Sequence, residues 1–299
     1  TGPMRFGINA AAIADEKGQD TPALQPVGLH YRRHYWFRTD LFVEFREPIP
    51  IVLPSDPEHG LKLATGEWTE PTHEQVNTLK DELFRELSLV TPNAPDWPTY
   101  RAWHLLAHID ANQSGSSLDT FKDEVFAARE VRNLLSNDEI PEEALELSME
   151  AAEILHSHDL DGRAISDSGV SATSQWGRLL GSLFLMLVAA PLTVVSTGAQ
   201  AIIAWYLGDR TDEGVDARTT YHMLAAMFSP VLFWPPIAAI VTYYAIGQGP
   251  LLAPGILLMI IAFHLSNLTF LLGYDLWADF ANSRRRTRLF SSSEGAKLE

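Results

Sequence analysis

Fifty-six consecutive residues, 219–274, contain no Asp, Glu, Lys or Arg. A hydrocarbon core about 30 Å thick is crossed by roughly 20 apolar residues in helical form. The run is long enough for two crossings, and Gly247-Gln248-Gly249-Pro250 marks the turn between them. A helix of a soluble core keeps a polar face, and this run has none. Part of the chain is therefore expected to lie in a bilayer.

Charge divides the chain in the same place. Through Gln175 there are 14 Lys+Arg against 30 Asp+Glu, whereas Trp176–Glu299 holds 8 of each. An acidic half of that length can bury its own core. Its sign argues against nucleic acid as a partner and against broad adhesion to anionic lipid surfaces. The sequence has no cysteine, which removes disulfides, thiolate nucleophiles and thiolate metal sites. That composition suits a cytosol-facing domain. No secretory signal pattern opens the chain and Thr1 is not an initiator. The expectation is that the residues ahead of Met4 are extraneous, or that the chain is a piece of a longer one.

Leu24–Tyr31 and Thr39–Arg46 read as two short strands. In the second, Leu41, Val43 and Phe45 alternate with Phe42, Glu44 and Arg46. Pro48, Pro50 and Pro54 end regular structure, and 55–70 reads as a solvated loop. Helices are expected over Thr72–Leu89, Pro98–His108, Leu118–Leu135 and Pro141–Leu155, with apolar residues at helical spacing. Residues 162–174, rich in Gly, Ser and Asp, read as a linker.

Leu179–Gly208 is a second uncharged run, interrupted by Pro191 and Gly198. It fits one tilted helix, or two half-helices that enter and leave on one side. Arg178 precedes it, and Arg284, Arg285, Arg286 and Arg288 follow the last apolar run. The positive-inside rule places both basic flanks in the cytoplasm, which favours the re-entrant reading.

The segment His30–Arg38 holds Arg32, Arg33 and Arg38, two histidines and no acid. Arginine forks match phosphate oxygens, so this cationic patch is a candidate anion site. Composition alone favours the plainer reading, in which these arginines pair with Glu44, Glu47 or helix carboxylates.

The same segment carries a resemblance. Pro26-Val27-Gly28-Leu29-His30-Tyr31, followed by Phe37-Arg38 and the alternating strand to Pro48-Ile49, resembles the fourth motif of the glycerolipid acyltransferases. That family includes glycerol-3-phosphate and 1-acylglycerol-3-phosphate acyltransferases. Glu47 stands directly before Pro48-Ile49, where the family pattern has a glycine two residues ahead of the isoleucine's proline partner, so that end matches only in part. Thr1-Gly2-Pro3-Met4-Arg5 is similar to the stretch after the family's third motif. Val90-Thr91-Pro92-Asn93-Ala94-Pro95-Asp96 resembles a Thr-x-Asn-Ala-Pro stretch of longer members with a C-terminal membrane region. The resemblance covers about residues 1–160.

The resemblance implies acyl transfer from a thioester, acyl-CoA or acyl carrier protein, to a glycerol-phosphate or lysophosphatidate acceptor, with no cofactor and no metal. In the family a histidine of an Asn-His-x4-Asp motif is the general base, oriented by the aspartate. That motif and the Glu-Gly-Thr-Ser-type motif for the acceptor phosphate belong upstream of Thr1. Pro26, Gly28, Tyr31 and Arg38 then correspond to the fourth motif. Arg32 and Arg33 join them as substrate-binding candidates on composition alone.

Other histidines invite other readings. His156-Ser157-His158-Asp159-Leu160-Asp161 fits His-x4-Asp, but lacks the preceding Asn and follows the fourth motif, so it reads as a decoy. His30/His34 and His104/His108 are His-x3-His pairs of the kind that bind iron in membrane oxygenases. His30 starts in a strand, where that spacing does not bring side chains together. His264 lies deep in the apolar run; a neutral imidazole bonded to Ser266, Asn267 or a carbonyl is the plainer reading of it.

The expected architecture is mainly α. It comprises a C-terminal remnant of an α/β acyltransferase domain over 1–54, a helical extension and linker over 55–174, and a transmembrane region with a basic tail over 175–299. The soluble part is expected to face the cytoplasm. The alternative is a non-catalytic membrane protein that uses a truncated acyltransferase-like domain as an interaction module.

Overall fold

The computed structural model describes residues 2–33, 38–165, 172–208, 210 and 215–298. It is mainly helical. Helix α1 (Gly2–Glu16) leads into β1 (Ala23–Leu24), β2 (Val27–Tyr31), β3 (Leu41–Phe45) and β4 (Ile49–Pro50). These make two two-stranded antiparallel sheets, β1 with β4 and β2 with β3. The single strand expected over Leu24–Tyr31 is broken at Pro26, which has no N–H to offer a ladder. Its carbonyl accepts from Arg46 N at 3.1 Å and starts the β2–β3 pairing. Pro50 likewise sits inside β4 rather than ending regular structure.

Sequence reading overlooked α1 and placed α2 (His59–Ala64) inside a loop. Both are explained by small-residue packing. Ile8 and Ala11 of α1 join Ile49, Ile51, Val76 and Leu79 in one core. A Cβ on Gly60 would meet the Ala12 carbonyl oxygen at 2.6 Å, so only glycine lets α2 lie this close to α1. Buried His59 closes the junction, its Nε2 2.9 Å from Asn9 Oδ1.

The four helices expected next are present as α3 (His73–Val90), α4 (Trp97–Ser114), α5 (Phe121–Ser136) and α6 (Glu142–Ser157). Their starts are fixed by capping. Thr72 and Gln75 form a reciprocal box on α3, Thr120 and Asp123 one on α5, and Asp96 accepts from Thr99 N on α4. Helix α4 runs a turn and a half past its expected end, to Gly115, which takes φ 68°. Of the expected linker, Gly162–Ile165 is a 3-10 turn and 166–171 lie outside the described residues.

The membrane region holds α7 (Ala172–Gly208), α8 (Val215–Leu232), α9 (Trp234–Ile246) and α10 (Leu252–Phe290). The re-entrant reading of Leu179–Gly208 is overturned: α7 is one continuous helix through Pro191. A proline is tolerated within a membrane helix more readily than within one in water. Gln175–Gly198 and α10 are each long and apolar enough to cross a membrane. The apolar pair α8–α9 is bent by 47° at its break, the shape of a broken span or of a re-entrant loop. Only 22% and 11% of the most apolar windows of the two long helices are buried within the molecule, so lipid is the solvent that suits them.

Helices α7 and α10 run antiparallel. Gly273 packs on Met186, Ser266 Oγ donates to the Ala189 carbonyl at 2.8 Å, and Asn267 Nδ2 donates to Ser196 Oγ at 2.9 Å. Arg178 lies 3.8 Å from Asp279 at one end of the pair. Arg178 and the Arg284–Arg288 cluster therefore share that end, as the charge pattern required, although α7 achieves it without turning back. The expectation for His264 needs correction. Ser266 bonds to α7 and Asn267 to Ser196 and the Phe263 carbonyl, while His264 is exposed and lies against Trp234, ring centroids 6.4 Å apart.

The basic tail is not free. Leu289 of α10 is fully buried among Leu105, Leu155, Leu160 and Ala164. Arg286 Nε donates to the Ala164 carbonyl at 2.6 Å, and Arg285 pairs with Asp159 at 3.5 Å. Helix α10 thus leaves the apolar layer and continues into the core of the helical region.

Candidate functional site

The described residues of the arginine-rich segment meet α4, α5 and the turn after α6. Strand β2 positions them. Gly28 faces α3 so closely that a Cβ would meet the Val90 carbonyl oxygen at 2.7 Å and Val90 Cβ at 2.9 Å. Pro26 is fully buried beside it. Both act through packing. His34 and Phe37 lie outside the described residues.

Alternation along β2 sends His30 inward. Its Nε2 stands 3.5 Å from Glu44 Oε2, and its ring stacks on Phe42. Burial lowers the His30 pKa, partly offset by Glu44. Glu44 also takes a two-point bond from Arg129 of α5, at 3.2 and 2.5 Å. Burial pushes the Glu44 carboxyl up, but the Arg129 fork and then His30 outweigh it, and the net shift is downward.

Arg32 lies between two carboxylates, 2.8 Å from Asp40 and 2.7 Å from Glu124, with its guanidinium over the Phe121 ring. Arg33 donates from its backbone to Thr39 Oγ1 at 2.9 Å and from its guanidinium to the Leu160 carbonyl. Arg38 adopts φ 61° and forks onto Asp275 of α10. Tyr31 accepts at its carbonyl from Tyr100 Oη at 3.3 Å. Arg32 and Arg38 thus pair with helix carboxylates, Glu124 and Asp275, as in the plainer reading, and Arg32 also with Asp40; neither pairs with Glu44 or Glu47.

Glu124 is the centre of the arrangement and was missed. It is buried on α5, facing Arg32 and, at 3.5 Å, His108 Nε2. A signal existed. Glu124 falls on the face of α5 that carries Phe121, Val125, Ala128 and Val131, where a carboxylate needs a buried partner. His104 lies between Tyr100 and Phe121, centroids 4.6 and 6.2 Å away. Burial pulls its pKa down to about 4, despite the opposing charge of Glu124. Burial, then Glu124, pushes the Tyr100 hydroxyl up to about 12. Asp161 forks onto Arg163 at 2.9 and 2.7 Å. Burial raises the Asp161 carboxyl, and Arg163 more than offsets it and holds it well below the usual range. In the His156 decoy, Asp161 is thus committed to Arg163. Asp159 faces Arg285, so neither aspartate is placed to orient His156.

His30, Tyr100, Trp103, His104, Arg129 and Arg132 line a cleft open on one side, with an enclosed volume of about 20 Å3. That is room for about one water. Arg132 forms its rim by donating to the Thr91 and Pro92 carbonyls at 3.0 and 3.4 Å. His104 and His108 point to different neighbours. Among the described residues no three or more His, Asp or Glu converge as a metal site.

No protein-family model matches this chain, and neither does any curated protein or solved structure.

Proposed function

We propose that the chain is the C-terminal portion of a membrane-bound acyltransferase. Such an enzyme moves a fatty acyl group from a thioester to a glycerol-phosphate or lysophosphatidate acceptor. The observation that carries this reading is the Gly28–Val90 contact. It packs the two best-matching stretches, 26–49 and 90–96, against each other across some sixty residues of sequence. The third stretch joins them. Helix α1, which begins within it, shares a core with Ile49 and Ile51. Segments that resemble one family separately thus form one structural unit.

In this reading the acyl-transfer base is not one of the chain's own residues. The chain contributes the fourth-motif hairpin with Pro26, Gly28, Tyr31 and Arg38, flanked by Arg32 and Arg33. It also contributes a helical extension and the helices that keep the enzyme at the bilayer, where its lipid product belongs. The soluble part faces the cytoplasm, with Arg178 and the arginines of α10 on that side. The native gene should restore growth to a strain lacking glycerol-3-phosphate or 1-acylglycerol-3-phosphate acyltransferase. Failure to restore either, with the protein present in the membrane, counts against the reading.

One observation favours the interaction-module alternative. Arg32 and Arg38 are already held by Asp40, Glu124 and Asp275, which leaves their charge neutralised at rest. Substrate would then have to displace a carboxylate, or the arginines serve architecture alone.

A further inference from the structure

The β2–β3 hairpin has two unlike faces. Register pairs Val27 with Phe45, Leu29 with Val43 and Tyr31 with Leu41, so these six side chains share one face. The other face, Gly28, His30, Phe42 and Glu44, packs on α3 and α5. No charge lies on the first face, yet Leu29 is 53% exposed, Leu41 50%, Val43 37% and Phe45 69%. A two-stranded apolar sheet left in water is an aggregation hazard.

Arg38 fixes where this face sits. Helix α10 runs uncharged from Leu252 to Tyr274, a rise of about 34 Å that matches a hydrocarbon layer. Asp275 is the first charge beyond it, and the Tyr274 and Trp277 rings meet there at a tilt of 43°, centroids 5.6 Å apart, in the manner of an interfacial aromatic belt. Arg38 grips Asp275. Leu41 follows three residues later, within about 10 Å of chain.

We infer that the apolar face of the β2–β3 hairpin docks on the bilayer interface, with Leu41 and Val43 against the boundary of headgroups and acyl chains. The partner is the lipid surface around the protein's own helices. Contact is apolar, consistent with an acidic soluble region that gains nothing from anionic lipid. The inference stands independently of the acyl-transfer reading. It gives the soluble region a second hold on the membrane, on the strand pair rather than on the helices.

The chain has no cysteine, so single cysteines at Leu41 and Val43 can carry nitroxide labels without background. Labels at Lys17 and Asp119, both exposed, serve as references. The full chain is reconstituted in phosphatidylcholine bilayers, and collision rates with oxygen and with a water-soluble nickel chelate are compared. The expected result is oxygen exceeding nickel at 41 and 43 and the reverse at 17 and 119. Nickel access at 41 and 43 equal to the references overturns the inference. So does shielding from both reagents, which means polypeptide covers the face; if that shielding fades on dilution, the cover is a second copy of the chain.

Discussion

Arg38 and Asp275, 237 residues apart, meet in a two-point ion pair, with Arg38 Nε 3.0 Å from Asp275 Oδ1. The pair joins the hairpin to α10 at the level where the helix leaves its apolar run. Arg38 takes a left-handed backbone there, which costs a non-glycine residue roughly 1 kcal/mol. Asp275 holds the guanidinium in place, and its hydrogen bond raises the Arg38 pKa.

The pair separates two roles for Arg38. As a clamp alone, Arg38→Asp and Asp275→Arg should each lower the Tm, and the double exchange should recover most of the loss. Exposed pairs contribute about 1 kcal/mol or less, so the effect is modest. As an acceptor-binding residue, Arg38→Asp should raise the acceptor KM of the native enzyme, and the exchange should leave KM high. Kinetics unchanged in the single variant would remove Arg38 from the substrate site.

Leu289→Ala should destabilise the helical region by about 2–5 kcal/mol, the range for emptying a buried leucine site. Leu289 is far along α10 from the bilayer, yet it closes the core of Leu105, Leu155 and Leu160. Urea unfolding followed at aromatic residues of the soluble region should show the loss. An unchanged midpoint would mean that α10 does not dock there.

Between α7 and α10, Gly273 is the close-approach position. A Cβ there would meet Met186 Cγ at 2.7 Å and Leu185 Cβ at 3.2 Å. Gly273→Val should therefore push the helices apart, whereas Asn267→Ala should cost only about 0.6 kcal/mol, typical for one interhelical bond in lipid. Cross-linking of cysteines placed at Gly181 and Leu276, which are in contact, reads both.

His104 sets a direction for pH. Its folded pKa is lowered to about 4 from the ordinary 6.5, so the unfolded chain binds the proton first as pH falls. The contribution of His104 is intact above pH 6.5 and is lost progressively as pH falls towards 4. His104→Phe should flatten that part of the stability profile. A profile unchanged by the substitution would show that His104 titrates normally in the folded state.

The large elements were legible because each obeys one local rule. The uncharged runs, the helical spacing of apolar residues over Thr72–Leu89 and the alternation of Leu41–Phe45 all report on neighbouring residues alone. What stayed hidden depends on distant partners. Helix α1 is built on alanines whose burial follows from Gly60 and Ile51. The partners of Arg32 and Arg38, Glu124 and Asp275, lie 92 and 237 residues away, beyond the reach of spacing. Pro191 misled in the opposite sense, since lipid tolerates it within a helix that water would break.

The central claim is tested most directly by supplying a labelled acyl thioester to membranes holding the native gene product. Glycerol 3-phosphate or 1-acylglycerol 3-phosphate is the acceptor, and the lipids formed are read by mass spectrometry. The account expects label in an ester of one of these acceptors, reduced when Arg38 is replaced by Glu. Label remaining wholly in the thioester, with both CoA and acyl carrier protein donors and both acceptors tried, would contradict it.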